Sequence, residues 1–282
     1  MEIFSTIKET RDCLINLKKE GKTIGFVPTM GALHRGHISL LEQAKKENDI
    51  SVSSIFVNPT QFNDKKDLEK YPRTIEDDIL KLKAAHCDVL FAPGVEEMYP
   101  STLVKEPEID LGNLGKVMEG KLRPGHFQGV CTVVKKLFDI VLPNKAYFGE
   151  KDFQQLAVIK YMVRILNIPV EIIPCPTFRE ADGLAMSSRN VFLNPDERKN
   201  VPLIYKTMME AKLLNTNKTI SELKKWVEEK VNENPFLKLE YFEIVNSETL
   251  QLITDTHLPI TGCRACIAVK VGTIRLIDNI AL

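Results

Sequence analysis

The chain has 282 residues, enough for one large or two modest domains with a sizeable core. Its 38 basic and 38 acidic residues cancel, which leaves no overall pull toward nucleic acid and argues against a tRNA-sized partner. No apolar run approaches the roughly 18 residues of a membrane span, and an apolar content of 44% is ordinary for a globular protein.

The first residues, MEIFSTIKETRDCL, carry acidic side chains and no apolar core of secretory type, so they are read as part of the fold and not as a signal peptide. Thr6–Lys19 has an amphipathic helical pattern with Ile7, Leu14 and Leu17 on its apolar face. Next comes TIGFVPTMGALHRGH, Thr23–His37. Ile24–Val27 reads as a buried strand, and Pro28, with no N–H for a ladder, is expected to end it. Gly31 and Gly36 permit a tight turn, after which Ile38, Leu41 and Ala44 recur at helical spacing. His34 and His37 therefore stand where a strand hands over to a helix N-terminus, a place suited to anions. Three residues apart, their rings point the same way. A zinc site would need a third ligand, which this stretch does not offer at zinc spacing. A phosphate or adenylate site fits better.

Ile50–Val57 is the next expected strand, broken by Asn58-Pro59-Thr60-Gln61-Phe62. Strand, helix, strand with short links is a βαβ unit and implies a parallel sheet. Asn58 and Gln61 then lie past a strand's C-terminal end, the edge along which open α/β sheets bind ligands. The residues alone leave two readings: a plain Asn-Pro turn, or amides that bind a hydroxy acid. Ile75–Ala85 reads as a helix with Asp77 and Asp78 in its first turn, open to a magnesium role but preferred on a solvated face. Val89–Ala92 is a third strand, and 93–110 reads as a surface connection.

Gly120–Gly129, GKLRPGHFQG, is read as a basic flexible loop before an apolar helix, with Arg123 and His126 as anion-binding candidates. Lys145–Phe148 is a short strand followed by Gly149-Glu150-Lys151-Asp152, which sets Lys151 at another helix N-terminus. Val170–Pro174 is the last strand of this unit. Met186-Ser187-Ser188-Arg189-Asn190 either donates to a triphosphate or caps the helix begun at Pro195. Beyond it, a helix to about Leu214, another over Ile220–Val231, and strands Leu239–Val245, Ala265–Val271 and Thr273–Ile277, with Gly272 as a tight turn, indicate a small α+β unit. The six cysteines are scattered, which predicts reduced thiols and a cytoplasmic location; Cys263 and Cys266 read as buried structural thiols on a strand. The expected architecture is α/β: a Rossmann-like parallel-sheet domain over 1–176 and a smaller α+β lid or interface domain over 177–282.

Five segments in order, PTMGALHRGH, FVNPTQF, RPGHFQGV, GEKDFQQ and MSSRN, together resemble the pantothenate synthetase (pantoate–β-alanine ligase) family. It lies in the HxGH nucleotidylyltransferase superfamily. The resemblance implies condensation of (R)-pantoate with β-alanine, using ATP and Mg²⁺, through a pantoyl adenylate, in a homodimer. It assigns catalysis to His34, His37 and Lys151. It assigns ATP binding to Met30, Gly31, Ala32, Leu33, His34, Arg35, Gly36 and His37, to Gly149, Glu150, Lys151 and Asp152, and to Phe178, Met186, Ser187, Ser188 and Arg189, the last three within a KMSKS-like loop. Pantoate and β-alanine fall to Asn58, Gln61, Arg123, His126 and Gln155. The metal ligands are not assigned. Asn63-Asp64-Lys65-Lys66 departs from the family's Gly-Pro-rich continuation.

The chemistry of adenylate formation agrees. A carboxylate attacking the α-phosphate of ATP needs no base, so positioning and charge stabilisation suffice. No residue identifies itself as the base for the β-alanine amine. Three other readings share parts of the pattern. An adenylyl- or cytidylyltransferase needs a pocket for a phosphorylated acceptor. A tRNA-binding synthetase relative needs a basic region the chain lacks. A non-catalytic nucleotide-binding protein has no use for the full polar set.

Overall fold

The chain opens with a strand, Glu2–Phe4 (β1), too short to show an alternation in the sequence. In this computed structural model the described residues are 1–102, 108–215, 218–254 and 262–282. Helix Ile7–Lys19 (α1) is started by Thr6, whose side chain accepts from the Glu9 N–H. Strand Ile24–Thr29 (β2) runs through Pro28, where an end was expected. It pairs with Ile50–Ile55 (β3) along its whole length, but on its other flank only Gly25 and Phe26 are paired. Pro28 thus lies where one side of the strand has no ladder to serve.

Helix Arg35–Glu47 (α2) connects β2 to β3. A 3-10 turn, Pro59–Gln61, follows β3, then Lys65–Lys70 (α3) and Ile75–Ala84 (α4). Strand Val89–Phe91 (β4) leads to Val95–Met98 (α5). The expected surface connection over 93–110 includes 103–107, which lie outside the described residues. The expected loop over 120–129 is mostly helical. Met118–Leu122 (α6) and His126–Val141 (α7) leave only Arg123–Gly125 between them, with Gly125 at φ +80° making the turn. Strand Lys145–Gly149 (β5), a 3-10 turn Glu150–Asp152, helix Phe153–Ile165 (α8) and strand Glu171–Cys175 (β6) complete this half.

The six strands pair in the order β1-β4-β3-β2-β5-β6, all in parallel. From β2 the chain moves outward through β3 and β4, and later from β5 outward to β6. The strand order therefore reverses between β2 and β5, and a crevice forms outside their C-terminal ends. Helix α7 buries its apolar residues against β2 and β5, with Phe138 edge-on to both Phe26 and Phe148 at ring centroids of 6.4 Å. Each such fully buried side chain contributes about 1.5–3 kcal/mol.

The second half is antiparallel. A 3-10 turn Ser188–Phe192 precedes Pro195–Asn200 (α9) and Pro202–Leu214 (α10), two helices where one was expected. Pro202 lacks the N–H that would continue α9. Ile220–Asn232 (α11) covers a three-stranded sheet, Leu237–Asn246 (β7), Cys263–Val271 (β8) and Ile274–Ala281 (β9), with Gly272 at φ +55° in the last turn. Cys263 packs into this half's core and Cys266 into the core of the first, as expected for positions three apart on one strand. Buried Glu119 on α6 ties the halves together. It accepts two hydrogen bonds from Arg275 at 2.6 and 2.7 Å and one from the Tyr241 hydroxyl at 2.7 Å. Among the described residues, no helix is long and apolar enough to cross a membrane.

Candidate active site

The β2–α2 turn is bent by Gly31 at φ +79° and Ala32 at φ 49°, and α4 holds it from behind. Asp78 is fully buried and accepts from the Ala32 N–H at 2.8 Å and the Leu33 N–H at 2.7 Å. Lys81 Nζ donates to the Leu33 carbonyl at 2.9 Å. Asp78 thus faces this turn and not solvent, its carboxylate satisfied by two backbone N–H groups that would otherwise be left without a partner. The N–H groups of Ala32 and Leu33 are taken up by it.

His34 is the N-cap of α2, and its Nδ1 accepts from the Gly36 N–H at 3.2 Å. The His34 N–H in turn donates to His37 Nδ1 at 3.2 Å. The pair makes a capping box out of two imidazoles. Gly36 belongs to the first turn of the helix and not to the preceding bend; a Cβ there would lie 3.0 Å from the His34 ring. Because each Nδ1 accepts, each proton sits on Nε2. Burial lowers His34 to about 4 and His37 to about 3; the Lys151 charge adds to both, and for His37 the His34 neighbour counts more. Both rings are neutral Nε2–H donors at neutral pH.

Lys151 stands across the crevice on the turn after β5, with Nζ 3.6 Å from Asp152 Oδ1. The third wall is the stretch from Phe178 to Arg189. The Met186 N–H donates to the Phe178 carbonyl at 2.9 Å, which folds the stretch back on itself. The Ser187 side chain accepts from the Arg189 N–H and begins the 3-10 turn over Ser188–Phe192, not α9. Ser188 Oγ lies 3.3 Å from the buried Tyr71 hydroxyl, and Arg189 pairs with Asp67 of α3 at 3.2 Å.

The fourth wall is built on α7. Asn58 is buried and its amide is used up: Nδ2 donates to Gln61 Oε1 and the Gly129 carbonyl, both at 3.1 Å, and Oδ1 accepts from the Tyr99 hydroxyl at 2.9 Å. Asn58 therefore sets the Gln61 side chain, whose Nε2 lies 2.9 Å from Met30 Sδ. The His126 Nδ1–H donates to the Gln61 carbonyl at 2.8 Å, and Arg123 Nη1 donates to His126 Nε2 at 3.4 Å. Burial, then the Arg123 charge, lowers His126 to about 4. Gly129 packs its Cα against the same turn, where a Cβ would lie 2.4 Å from the Thr60 carbonyl oxygen and 2.8 Å from Gln61 Cα.

These walls enclose one cleft of about 240 Å³ that brings together Met30, His34, Gly36, His37, Asn58, Gln61, Arg123, His126, Gly149, Lys151, Asp152, Gln155, Phe178, Met186, Ser187, Ser188 and Arg189. Gly31, Ala32, Leu33, Arg35 and Glu150 do not line it. Arg35 lies outside because it pairs with exposed Glu42 at 2.6 Å, and Glu150 because it turns to Arg264 at 2.8 Å. Of the adjacent glutamines, Gln154 is spent on the Leu114 and Val117 carbonyls and only Gln155 reaches the cleft. Sequence reasoning missed Tyr71, Asp78 and the apolar floor of Val130, Val133, Val134 and Leu137. Only Asp78 left a signal, an acid in the first turn of a helix.

Among the described residues, no group of three or more His, Cys, Asp or Glu side chains could cage a metal ion. Asp152 is the only acidic side chain among those lining the cleft.

The sequence model of the pantoate–β-alanine ligase family matches residues 2–281. A pantothenate synthetase from Porphyromonas gingivalis is 53% identical over 283 aligned positions, covering 99% of each chain. The crystal structure of the Thermus thermophilus pantothenate synthetase superposes with a TM-score of 0.92 at 45% identity, covering 100% of this chain and 99% of that one. The pantoate–β-alanine ligase of Francisella tularensis, described in complex with beta-gamma ATP and β-alanine, has a TM-score of 0.79 at 39% identity, covering 100% and 97%.

Proposed function

The chain belongs to the pantoate–β-alanine ligase family, and on that premise we propose how its cleft performs the reaction. The reaction condenses (R)-pantoate with β-alanine at the expense of ATP, giving pantothenate, AMP and pyrophosphate. The observation that carries the residue assignment is the convergence of two neutral Nε2–H imidazoles, Lys151 and the Ser187–Arg189 turn on one crevice at the strand-order reversal. His34, His37 and Lys151 hold the triphosphate from below. Ser187, Ser188 and Arg189 hold it from the opposite wall.

Gln61 and Gln155 bind the acid. Pantoate carries two methyl groups on its C3, and the Val130–Val133–Val134 floor beside Gln61 suits them. Its hydroxyls and carboxylate need donors and acceptors on one side only, which the two amides supply. Arg123 and His126 brace the Gln61 backbone, so they act on the acid through Gln61. The carboxylate attacks the α-phosphate in line. Its oxygen becomes the mixed-anhydride oxygen and pyrophosphate leaves. The β-alanine amine then attacks the acyl carbon and AMP leaves. The amine must arrive neutral, and no group in the cleft stands out as its base.

Mg²⁺ fits the cleft as a companion of the triphosphate, since it commonly takes one carboxylate, waters and phosphate oxygens and not a full protein cage. Asp152 is the side chain that would hold it, and the charge it supplies would offset that of the phosphates. We also assign the boundary between domains 1–176 and 177–282 to the segment after β6, where the sheet type changes. A homodimer in the cytoplasm accords with the family resemblance and with burial of every cysteine but Cys13. Light scattering at twice the 32.0 kDa chain mass would accord with the dimer.

A panel of hydroxy acids and amines with ATP tests the function. Pantoate and β-alanine together should release AMP and not ADP. Release of ADP, or AMP release with a phosphorylated acceptor in place of pantoate, would overturn the reading.

A further inference from the structure

Two consecutive buried residues on β9, Asp278 and Asn279, hold both of the phosphate-facing walls at once. The Asn279 amide Nδ2 donates to the Glu150 carbonyl and to the Lys151 carbonyl, each at 2.9 Å. Its Oδ1 accepts from Arg264 Nε, and the same guanidinium reaches Glu150 Oε2 at 2.8 Å and lies over the Phe153 ring at 4.3 Å. The 3-10 turn that carries Lys151 has no side-chain cap of its own. A short 3-10 turn is weakly self-supporting, so its conformation depends on these contacts from the other half of the chain.

Asp278 grips the opposite wall. Its carboxylate accepts both terminal nitrogens of Arg179, at 2.6 and 2.9 Å, and the Asn279 N–H at 2.7 Å. Arg179 also donates to the Gly183 carbonyl at 3.1 Å and stacks on Tyr205 at 3.9 Å. It is thereby fixed as one arm of the bend that runs from Phe178 to Ala185, which delivers Ser187, Ser188 and Arg189 to the cleft. A planar, bidentate pair of this kind fixes orientation as well as distance.

We propose that Asn279 is the positioning residue for Lys151, and that with Asp278 it sets the distance between Lys151 and the Ser187–Arg189 turn across which the triphosphate lies. Neither side chain touches the nucleotide in this account. They act by holding the backbone of the residues that do. The proposal rests on the assignment of Lys151 to ATP made above. Charge stabilisation depends steeply on placement, and displacement of a group by about 1 Å is enough to cost on the order of 10²-fold in rate.

A double-mutant cycle tests it with the full-length enzyme. Asn279→Ala and the isosteric Asn279→Asp, which replaces the two donors by an acceptor facing two carbonyls, are compared with Lys151→Ala and with each combination. Thermal unfolding identifies which variant is folded, and the isosteric one serves if alanine unfolds the protein. Each folded Asn279 variant should lose about 10- to 100-fold in pantoate-dependent pyrophosphate–ATP exchange, with equilibrium binding of pantoate unchanged. In the Lys151→Ala background the same substitution should cost less than about threefold, because the group it positions is gone. Equal losses in both backgrounds, or a folded Asn279 variant with wild-type exchange, would overturn the proposal and leave the assignment of Lys151 standing. Wild-type exchange in Lys151→Ala would overturn that assignment and the proposal with it.

Discussion

The imidazoles of His34 and His37 lie with ring centroids 4.0 Å apart and planes 34° to one another, each anchored by a backbone N–H donated to its Nδ1. That anchoring decides their chemistry. A ring protonated at Nδ1 would set N–H against N–H and lose the cap of α2. The positive helix terminus and Lys151 oppose a second proton as well. The pair is therefore built to donate two hydrogen bonds without becoming cationic. It needs no third partner to fix the tautomer.

The first prediction follows from the sign of those shifts. With folded values of about 4 and about 3 against 6.5 unfolded, the folded state binds fewer protons than the unfolded state at acid pH. Their contribution to stability is whole above pH 6.5 and is lost as pH falls through the folded values. Ring ¹⁵N shifts of labelled histidine at about pH 5.5, a unit below the unperturbed value, should show both rings neutral and protonated on Nε2. A folded-state titration midpoint near 6.5 for either ring would contradict the hydrogen-bond assignment.

A second prediction separates the cap from the catalysis. His34→Ala removes an N-cap worth about 1 kcal/mol together with the Nε2 donor. His34→Asn keeps a side-chain acceptor at the cap but cannot reach as far into the cleft. We expect His34→Asn to unfold near the wild-type temperature and to lose about 10²–10³-fold in turnover, the usual cost of one charge-stabilising donor. Lys151→Ala should lose as much. Near wild-type turnover in folded His34→Asn would show that the ring matters to the helix alone.

Much of this site could be read from the chain because it rests on short-range physics. A strand that passes through glycines and restarts as a helix is a common setting for anion binding, so His34, His37 and Lys151 stand out as candidates with no tertiary information. The same logic placed Gln61 on the strand-end edge. It failed where the decisive partner is remote. Asp78 looks like a helix-start acid, and only the fold brings its carboxylate onto the Ala32 and Leu33 N–H groups. Asn58 reads as either a turn or a ligand, and contacts with Tyr99 and Gly129, distant in sequence, take up its amide while it still lines the cleft. Arg35 sits inside the most conspicuous motif and still points away, because one helical residue in the first turn must face solvent.

The third prediction concerns the acid side of the cleft. Gln61→Ala should weaken pantoate binding more than ATP binding, since its amide lies on the α7 wall, away from the anchored histidines. Gly129→Ala should do the same by a different route. Its new methyl meets backbone at 2.4 and 2.8 Å, which cannot rotate aside, so the Gln61 turn must shift. Overpacking of this kind costs about 1–3 kcal/mol, and the variant should show a lowered unfolding midpoint as well. Calorimetric titration with each ligand alone checks both. An equal loss for ATP would sink the assignment of Gln61 to the acid.

The last prediction concerns the order of events. If the acid is activated first, pantoate and MgATP alone should form pantoyl adenylate and release pyrophosphate, and labelled pyrophosphate should exchange into ATP with no β-alanine present. The cleft offers no competing covalent route. Ser187 Oγ is occupied in capping the Arg189 N–H, Ser188 Oγ lies against the Tyr71 hydroxyl, and among the described residues no imidazole is hydrogen-bonded to either to take its proton. Burial pushes the Cys131 thiol beside α7's apolar floor up to about 12, so it is no nucleophile at neutral pH. Intact-mass spectra during turnover should accordingly show an unmodified chain. The adenylate must be shielded from water until the amine arrives, and the pairing of Arg189 with Asp67 ties that wall to α3. An acyl-enzyme adduct would disprove the scheme outright. Amide formation without exchange would sink the two-step scheme, unless pyrophosphate proved unable to leave the enzyme before β-alanine binds.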